Sequence, residues 1–161
     1  MRLHILERTQ AVASSREEVF GFFARPENLA AITPPRLDFR ILTPSPIAMR
    51  NGTLIDYVIK LGPLPLHWRT LITCYEPPFQ FIDEQLQGPY AFWHHTHQFD
   101  ELPDGGTRLG DIVRYLLPLG PFGEIAHILA VRRQLAQIFD HRRRVIAARF
   151  GERPDPGKEL P

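Results

Sequence analysis

The chain has 161 residues, 43% of them hydrophobic and 11% aromatic, which is enough for one domain with a core and too little for two. Its 19 lysine and arginine residues oppose 18 acidic ones, so no summed charge favours nucleic acid or an anionic membrane over a neutral partner. No apolar run is long enough to span a bilayer, and the amino-terminal segment lacks the apolar stretch of a signal peptide. The lone Cys74 fits a reducing compartment, so we expect a cytoplasmic protein without integral membrane contact.

The first part of the chain predicts one strand and two short helices. Residues 3–12 alternate between apolar and polar side chains, which is typical of a half-buried strand. A capping signal at Ser14 or Ser15 precedes a run of glutamate and apolar residues, and it predicts a short amphipathic helix that ends before Pro26. A second short helix is expected over residues 27–32, ahead of a Pro-Pro pair.

The middle of the chain predicts antiparallel strands. After a strand-like segment at 37–42, patterned stretches alternate with turn residues. The turns are expected at residues 62–65, 76–78, 88–89 and 103–106. This order indicates a meander of hairpins, and together with the first strand it makes a curved sheet of six to seven strands.

The hydrophobic period changes after residue 121. Apolar residues then recur at helical spacing, which predicts one long amphipathic helix. These residues are Ile125, Ile128, Leu129, Leu135, Ile138, Phe139 and Ile146. A sheet with one face covered by this helix makes a single α+β domain over residues 1–150. Residues 151–161 combine proline, glycine and charge without apolar periodicity, so a disordered tail is expected there.

Hairpin turns set the register of neighbouring strands, so the residues that share the inner face of the sheet can be predicted. Closing the turn at 62–65 places Ile59 opposite Trp68 and Tyr57 opposite Thr70. Carried across the later turns, the inner face also holds Phe81, Asp83, Gln85, Trp93, His95, His97, Phe99, Leu109, Asp111, Val113 and Tyr115.

Two acid–imidazole pairs are expected side by side on this face, with Asp83 opposite His95 and His97 opposite Asp111. Unpaired burial of such groups costs several kcal/mol, so they need each other, water or a ligand. Three interpretations stay open. The residues form a hydrogen-bonded structural network, they contact a ligand that the aromatic neighbours enclose, or a one-residue register slip separates them.

Other chemistry in the sequence is weaker. His95 and His97 project to one side of a strand near carboxylates, which is compatible with a metal, but no further histidine or cysteine cluster completes a closed site. No serine lies in a nucleophile-elbow context and no glycine-rich phosphate loop is present. We therefore expect no metal and no other cofactor.

Two arginines of the terminal helix lie within or beside its apolar stripe. Arg132 and Arg142 are each able to direct a guanidinium at an anionic group of a ligand, and Arg132 is included in the predicted binding site for this reason. Their long stems can equally carry the charge outward to solvent.

Four motifs, together with the order of elements, resemble a known superfamily. They are the stretches at 25–29 (RPENL), 88–90 (GPY), 93–99 (WHHTHQF) and 105–107 (GGT). Over roughly residues 3–150 the chain resembles the helix-grip superfamily of START-related lipid-transfer domains and pollen-allergen-like proteins, in its polyketide cyclase/dehydrase-like bacterial branch. The resemblance implies a cavity between the sheet and the terminal helix, in proteins that variously bind lipids, cyclise polyketides or serve as subunits of larger enzymes. It carries over no catalytic residue.

Our leading hypothesis is non-covalent binding of a small amphipathic molecule of the lipid, polyketide or isoprenoid type. The predicted ligand-binding residues are Tyr57, Ile59, Trp68, Phe81, Gln85, Trp93, Tyr115 and Arg132. The polar end of the ligand would be oriented by Asp83, His95, His97 and Asp111.

Two other functions remain open, and so does the oligomeric state. The first is a cyclase or dehydratase in which His95 or His97 transfers a proton, assisted by Asp83 or Asp111. The second is an interaction module that uses the outer face of the sheet, with Asp56, Lys60, Arg69 and Arg114.

Overall fold

A computed structural model describes residues 2–61 and 63–155 of the chain. In these ranges the fold has eight strands, three α-helices, of which the last two are joined by a π-helical turn, and two 3₁₀ helices. In chain order they are β1 (His4–Val12), α1 (Arg16–Phe23), 3₁₀ helices at Pro26–Ala30 and Pro35–Leu37, β2 (Arg40–Ile41), β3 (Leu54–Leu61), β4 (Leu64–Glu76), β5 (Gln80–Gln87), β6 (Phe92–Glu101), β7 (Thr107–Leu116), α2 (Pro121–Ala126), the π-helical turn (His127–Val131), α3 (Arg132–Phe150) and β8 (Glu152–Arg153).

All eight strands form one antiparallel sheet in the order β2-β3-β4-β5-β6-β7-β1-β8. The predicted α+β class is confirmed, and the predicted six to seven strands become eight because two-residue strands pair at both edges. Irregularities in β4 between Arg69 and Thr70 and between Ile72 and Cys74 bend this long strand. The first predicted helix is confirmed as α1, with Ser15 accepting a hydrogen bond from the Glu18 N–H.

The β3–β4 register differs from the prediction. Tyr57 pairs with Trp68, so the predicted pairing of Ile59 with Trp68 is wrong. Pairing continues to Leu61 opposite Leu64, so Leu64 and Pro65, which were expected in the turn, belong to β4. Because the shift is even, every side chain keeps its predicted face.

The register of the later strands is as predicted. Asp83 pairs with His95 across β5 and β6, and His97 pairs with Asp111 across β6 and β7. Alternation within β6 puts His95 and His97 on the same face, two residues apart. The sheet therefore brings the four polar side chains together on its inner face.

The terminal helix covers this inner face. Its predicted existence is confirmed, and one face of α3 is buried through Leu135, Phe139, Ile146 and Phe150. The part before α3 differs from the prediction, because Ile125, Ile128 and Leu129 are exposed instead of facing the core. No helix in the described ranges is both long and apolar enough to cross a membrane.

Two apolar clusters hold the sheet and helices together. One gathers around α1, whose four buried apolar side chains pack against the sheet and the end of α3; its central residues are Val19, Phe20, Phe22, Phe23, Phe99, Ile146 and Phe150. The second cluster contains Trp68, Trp93, Val113, Tyr115, Leu135 and Phe139. Each fully buried large side chain contributes about 1.5–3 kcal/mol.

The segment after the terminal helix is ordered as far as Asp155, so the predicted disordered tail is wrong for residues 151–155. Gly151 adopts a φ of 72°, which glycine tolerates, and the chain turns there to pair with the end of β1. Asp155 then forms an ion pair with Arg108 at 2.6 Å. The rest of the predicted tail, residues 156–161, lies outside the described residues.

Candidate ligand-binding site

A cavity of about 190 Å³ lies between the inner face of the sheet and the terminal helix. Five predicted ligand-binding residues line it: Tyr57, Ile59, Trp68, Phe81 and Trp93. Further wall residues come from α1, from the loops that follow it and from α3, and they include Phe23, Leu37, Phe39, Met49, Leu135, Ile138 and Phe139. The cavity is therefore mostly apolar, and it is enclosed by the elements that the sequence predicts.

One end of the cavity is aromatic. The Trp68 ring meets the edges of Trp93 and Tyr90 at centroid distances of 5.4 and 5.7 Å, and it stacks on Tyr57 at 5.8 Å. The Nε1–H of Trp68 is buried and has no hydrogen-bond partner within residues 2–61 and 63–155. Burial raises the pKa of the Tyr57 and Tyr90 hydroxyls, so both stay neutral.

The other end of the cavity is charged. We call the group of Asp83, His95, His97, Asp111 and Arg142 the polar cluster. His95 Nε2 lies 2.9 Å from Asp111 Oδ1, and His97 Nε2 lies 2.6 Å from Asp83 Oδ2. These hydrogen bonds cross the sheet diagonally, since each histidine bonds the aspartate that is not directly opposite it. The directly opposite pairs are farther apart, at 3.4 Å.

Arg142 reaches the polar cluster from α3. Its Nη2 lies 3.0 Å from both Asp111 Oδ1 and His97 Nδ1. A guanidinium only donates hydrogen bonds, so His97 Nδ1 accepts and its Nε2 carries the proton that Asp83 accepts. The guanidinium also lies 4.8 Å from the centre of the Phe23 ring, within cation–π range. The helix thus supplies one positive charge to a pair of carboxylates on the sheet.

The surroundings shift the pKa values of the polar cluster. Burial alone raises the pKa of both aspartates, but the neighbouring histidines and Arg142 outweigh it, so the pKa of Asp83 is lowered and that of Asp111 is held well below its usual range. Burial and the adjacent His97 lower the pKa of His95 to about 4. Both carboxylates are therefore ionised at neutral pH, and His95 is neutral.

A neutral His95 leaves one ring nitrogen of the polar cluster unprotonated. Its Nε2–H donates to Asp111, so the free lone pair is on Nδ1, which faces Asp83 Oδ2 at 3.4 Å. When both imidazoles are neutral, the two carboxylates and the guanidinium give the polar cluster a net charge of −1. A proton arriving at His95 Nδ1 would be shared with Asp83 and would bring this charge to zero.

Asp83, His95 and His97 also offer ligand atoms within 4.8 Å of one another, close enough to hold a metal ion. Two imidazoles and a carboxylate are a known donor set for transition metals. Arg142 opposes this use, because it brings a positive charge within 3.0 Å of His97 Nδ1 and keeps the proton on Nε2, the atom that faces Asp83. We therefore assign no metal to the site.

Solved structures share this architecture. The Zhui aromatase/cyclase from Streptomyces sp. R1128 superposes with a TM-score of 0.66, covering 92% of this chain and 97% of that one at 14% sequence identity. The chain has the helix-grip fold. The resemblance predicted from the four sequence motifs is confirmed for the fold.

Plant proteins also share the helix-grip fold with this chain. A point mutant of norcoclaurine synthase from Thalictrum flavum has a TM-score of 0.65 at 13% identity, over 91% of this chain and 96% of that one. Major latex-like protein 151 from Panax ginseng has a TM-score of 0.67 at 10% identity, over 92% and 97%. No protein-family model matches the chain, and no curated protein matches it significantly. Likeness at such low identity establishes the fold alone.

Three of the predicted ligand-binding residues do not line the cavity: Gln85, Tyr115 and Arg132. The Gln85 side chain donates to the Tyr90 carbonyl at 2.7 Å and accepts from the Tyr90 N–H at 3.3 Å, so it holds a loop. The Tyr115 hydroxyl lies 2.9 Å from His127 Nε2, beneath the terminal helix. Arg132 is exposed, because its long stem carries the guanidinium outward to solvent.

Other residues were missed or have a different position. Asp111 stands behind His95 and does not line the cavity, although it belongs to the polar cluster. Arg142 takes the place predicted for Arg132, and the sequence offers both as candidates on the same helix. Tyr90 was missed, although it follows the predicted Gly-Pro turn directly. Phe39 lies in the segment predicted as a strand over 37–42, of which only Arg40 and Ile41 pair, and Met49 comes from an irregular loop whose course no periodicity predicts.

Proposed function

We propose that the protein binds a small aromatic amphipathic molecule non-covalently in the cavity, with the polar end of the ligand at the polar cluster. The observation that carries this proposal is that one cavity is lined both by the aromatic rings around Trp68 and by Asp83 and His95 of the polar cluster. Pockets that bind small molecules typically combine apolar walls with a few convergent polar groups. The cavity volume of about 190 Å³ favours a ligand of one or two rings.

The charge of the polar cluster narrows the class of ligand. Asp83 and the His95 Nδ1 lone pair both accept hydrogen bonds, and the net charge of −1 repels an anion. A hydroxyl or phenol, which donates, therefore fits this end better than the carboxylate of a fatty acid does. The unpartnered Trp68 N–H at the other end suits a ligand acceptor such as a carbonyl.

Calorimetric titration with two matched bicyclic probes tests the proposal. We expect 2-naphthol to bind at least about tenfold more tightly than 2-naphthoate, because only the phenol donates to the polar cluster and avoids its negative charge. Ile59→Trp fills the cavity and should abolish binding, whereas Lys60→Trp on the opposite face of β3 should not. Equal affinity for both probes, or undiminished binding by Ile59→Trp, contradicts the proposal.

A second candidate function is acid–base catalysis on a bound carbonyl compound. The observation that favours it is the neutral His95, whose Nδ1 lone pair stands beside an ionised Asp83 while Asp111 holds its other nitrogen. An acidic C–H bond of the ligand would break, its proton passing to Nδ1 and its electron pair remaining on an enolate. The resulting imidazolium would lie between two carboxylates.

Hydrogen–deuterium exchange of 2-tetralone in D₂O, followed by NMR, tests this second candidate. The protein should accelerate exchange at the acidic carbon, and His95→Gln should reduce the acceleration by about a hundredfold. His94→Gln, next along β6 and on its other face, is the matched control. If the probe binds tightly but its exchange is not accelerated, catalysis of this kind is excluded and the proposed binding function is retained.

A further inference from the structure

The stretch that leads into the terminal helix carries an exposed band of large apolar side chains. Leu119, Phe122 and Ile125 are 78%, 75% and 54% exposed, and Ile128 and Leu129 are each 75% exposed. We call these five residues the apolar ridge. Single exposed apolar residues are ordinary on protein surfaces, but a contiguous group of this size marks an interaction site.

The ridge is held in place by contacts on the other side of α2 and the π-helical turn. His127 stacks on His4 at a centroid distance of 3.7 Å and contacts the Tyr115 hydroxyl at 2.9 Å. Glu124 pairs with His4 at 3.1 Å and accepts a hydrogen bond from the Arg2 N–H. Polar and ring contacts therefore fasten one edge of the helix to the sheet and direct the apolar ridge away from it.

The exposed part of this helical stretch is broad. Within residues 121–130, positions 121, 122, 125, 126, 128, 129 and 130 are exposed, whereas Gly123 is buried. A single partner helix covers a narrow stripe, but a fluid apolar medium surrounds a convex helix on most of its circumference. The shape of the ridge therefore favours a lipid surface over a second protein helix.

The charge beside the ridge is positive. Arg132 and Arg133 follow it directly and are both exposed, and Arg2 is exposed near the anchored edge. The one acidic residue between positions 121 and 133 is Glu124, whose carboxylate lies at the anchored edge and accepts from the Arg2 N–H. A second copy of this stretch would bring only Glu124 as an acidic partner for these arginines, whereas anionic lipid headgroups would pair with them.

We propose that the apolar ridge docks onto an anionic lipid surface. Phe122, Ile128 and Leu129 would enter the boundary between headgroups and acyl chains, while Arg132 and Arg133 pair with lipid phosphates. Buried apolar area and electrostatic attraction together supply the affinity of such interfacial helices. The docking does not depend on the identity of the molecule in the cavity.

Vesicle sedimentation tests this docking. The wild-type protein should sediment with vesicles of phosphatidylglycerol and much less with vesicles of phosphatidylcholine. The double variant Phe122→Ser/Leu129→Ser should lower the partition coefficient for phosphatidylglycerol by about tenfold or more. Arg132→Gln/Arg133→Gln should lower it to a similar degree and remove the preference for the anionic lipid.

The matched control is Leu54→Ser/Leu86→Ser, which replaces two exposed leucines on the outer face of the sheet. It should bind vesicles like the wild type. The proposal is overturned if the wild-type protein binds neither kind of vesicle. It is also overturned if the control variant loses as much vesicle binding as Phe122→Ser/Leu129→Ser does. Size-exclusion chromatography tests the alternative that a second copy covers the ridge. If the wild type is a dimer and Phe122→Ser/Leu129→Ser is a monomer, the partner is a second copy and the lipid proposal is overturned.

Discussion

The two ends of the cavity are held by different kinds of interaction. At the charged end, two buried imidazoles are linked to partly buried carboxylates and one guanidinium at distances of 2.6 to 3.0 Å. At the aromatic end, ring contacts and neutral hydrogen bonds such as those of Gln85 hold Trp68, Trp93 and Tyr90. Loss of one member should therefore be far more costly at the charged end, and only that end should respond to pH.

Removal of Arg142 gives the largest expected effect. Arg142→Ala leaves the partly buried Asp83 and Asp111 without their positive neighbour, and we expect the free energy of unfolding to fall by about 3 kcal/mol. Urea denaturation at pH 7 measures this loss. The control is Arg132→Ala on the same helix, an exposed position where no significant change is expected. A loss below about 1 kcal/mol in Arg142→Ala would break the distinction between the two ends.

Acid should weaken the fold through His95. The unfolded chain protonates this histidine below about pH 6.5, and the folded protein does so only below about pH 4. Unfolding therefore takes up a proton between these values, and the free energy of unfolding falls by up to about 3 kcal/mol as the pH is lowered through them. Below pH 4, protonation of Asp83 and Asp111 should weaken the fold further, since the pKa of each is lowered in the folded state.

Denaturation curves at pH 7, 5.5 and 4.5 would measure the acid effect. His95→Gln removes this group, so it should reduce the dependence between pH 6.5 and 4 and leave the contribution of His127, whose pKa burial also lowers. A wild-type protein that is equally stable at all three values, or a variant with the same slope as the wild type, would contradict the assignment of a neutral His95.

The smallest expected effect lies at the aromatic end. Gln85→Ala removes two neutral hydrogen bonds to the Tyr90 backbone, and we expect a loss of about 1–2 kcal/mol in the free energy of unfolding, without pH dependence. Gln87→Ala, an exposed position on the same strand, is the control. A larger loss than in Arg142→Ala would reverse the ranking of the two ends.

The charged end was more predictable from sequence than the aromatic end. Strand alternation and turn positions suffice to bring Asp83, His95, His97 and Asp111 onto one face, because the register of β5, β6 and β7 is the one that their turns predict. The diagonal pattern of hydrogen bonds was not predictable, since it depends on rotamers within the sheet. The choice of Arg142 over Arg132 depends on where the helix meets the sheet, which helical periodicity alone does not give.

The aromatic end and the apolar ridge show where sequence patterns stop being informative. Gln85 has the correct alternation for the inner face, but a hydrogen-bond partner in the nearby loop takes its side chain. Ile125, Ile128 and Leu129 have helical spacing, and periodicity cannot distinguish a stripe that packs on the sheet from one that extends beyond it. The tail after Gly151 has the composition of a disordered segment, yet pairing with β1 orders it as far as Asp155.

The orientation of a bound ligand tests the central claim most directly. In a crystal structure of the protein with 2-naphthol, we expect the ring system between Trp68 and Phe139 and the phenolic oxygen within about 3.2 Å of Asp83 or His95. The opposite orientation would contradict the division of the cavity into an aromatic and a charged end. In that orientation the phenolic oxygen contacts the Trp68 indole and the rings lie against the polar cluster. A ligand found outside the cavity would contradict this division as well.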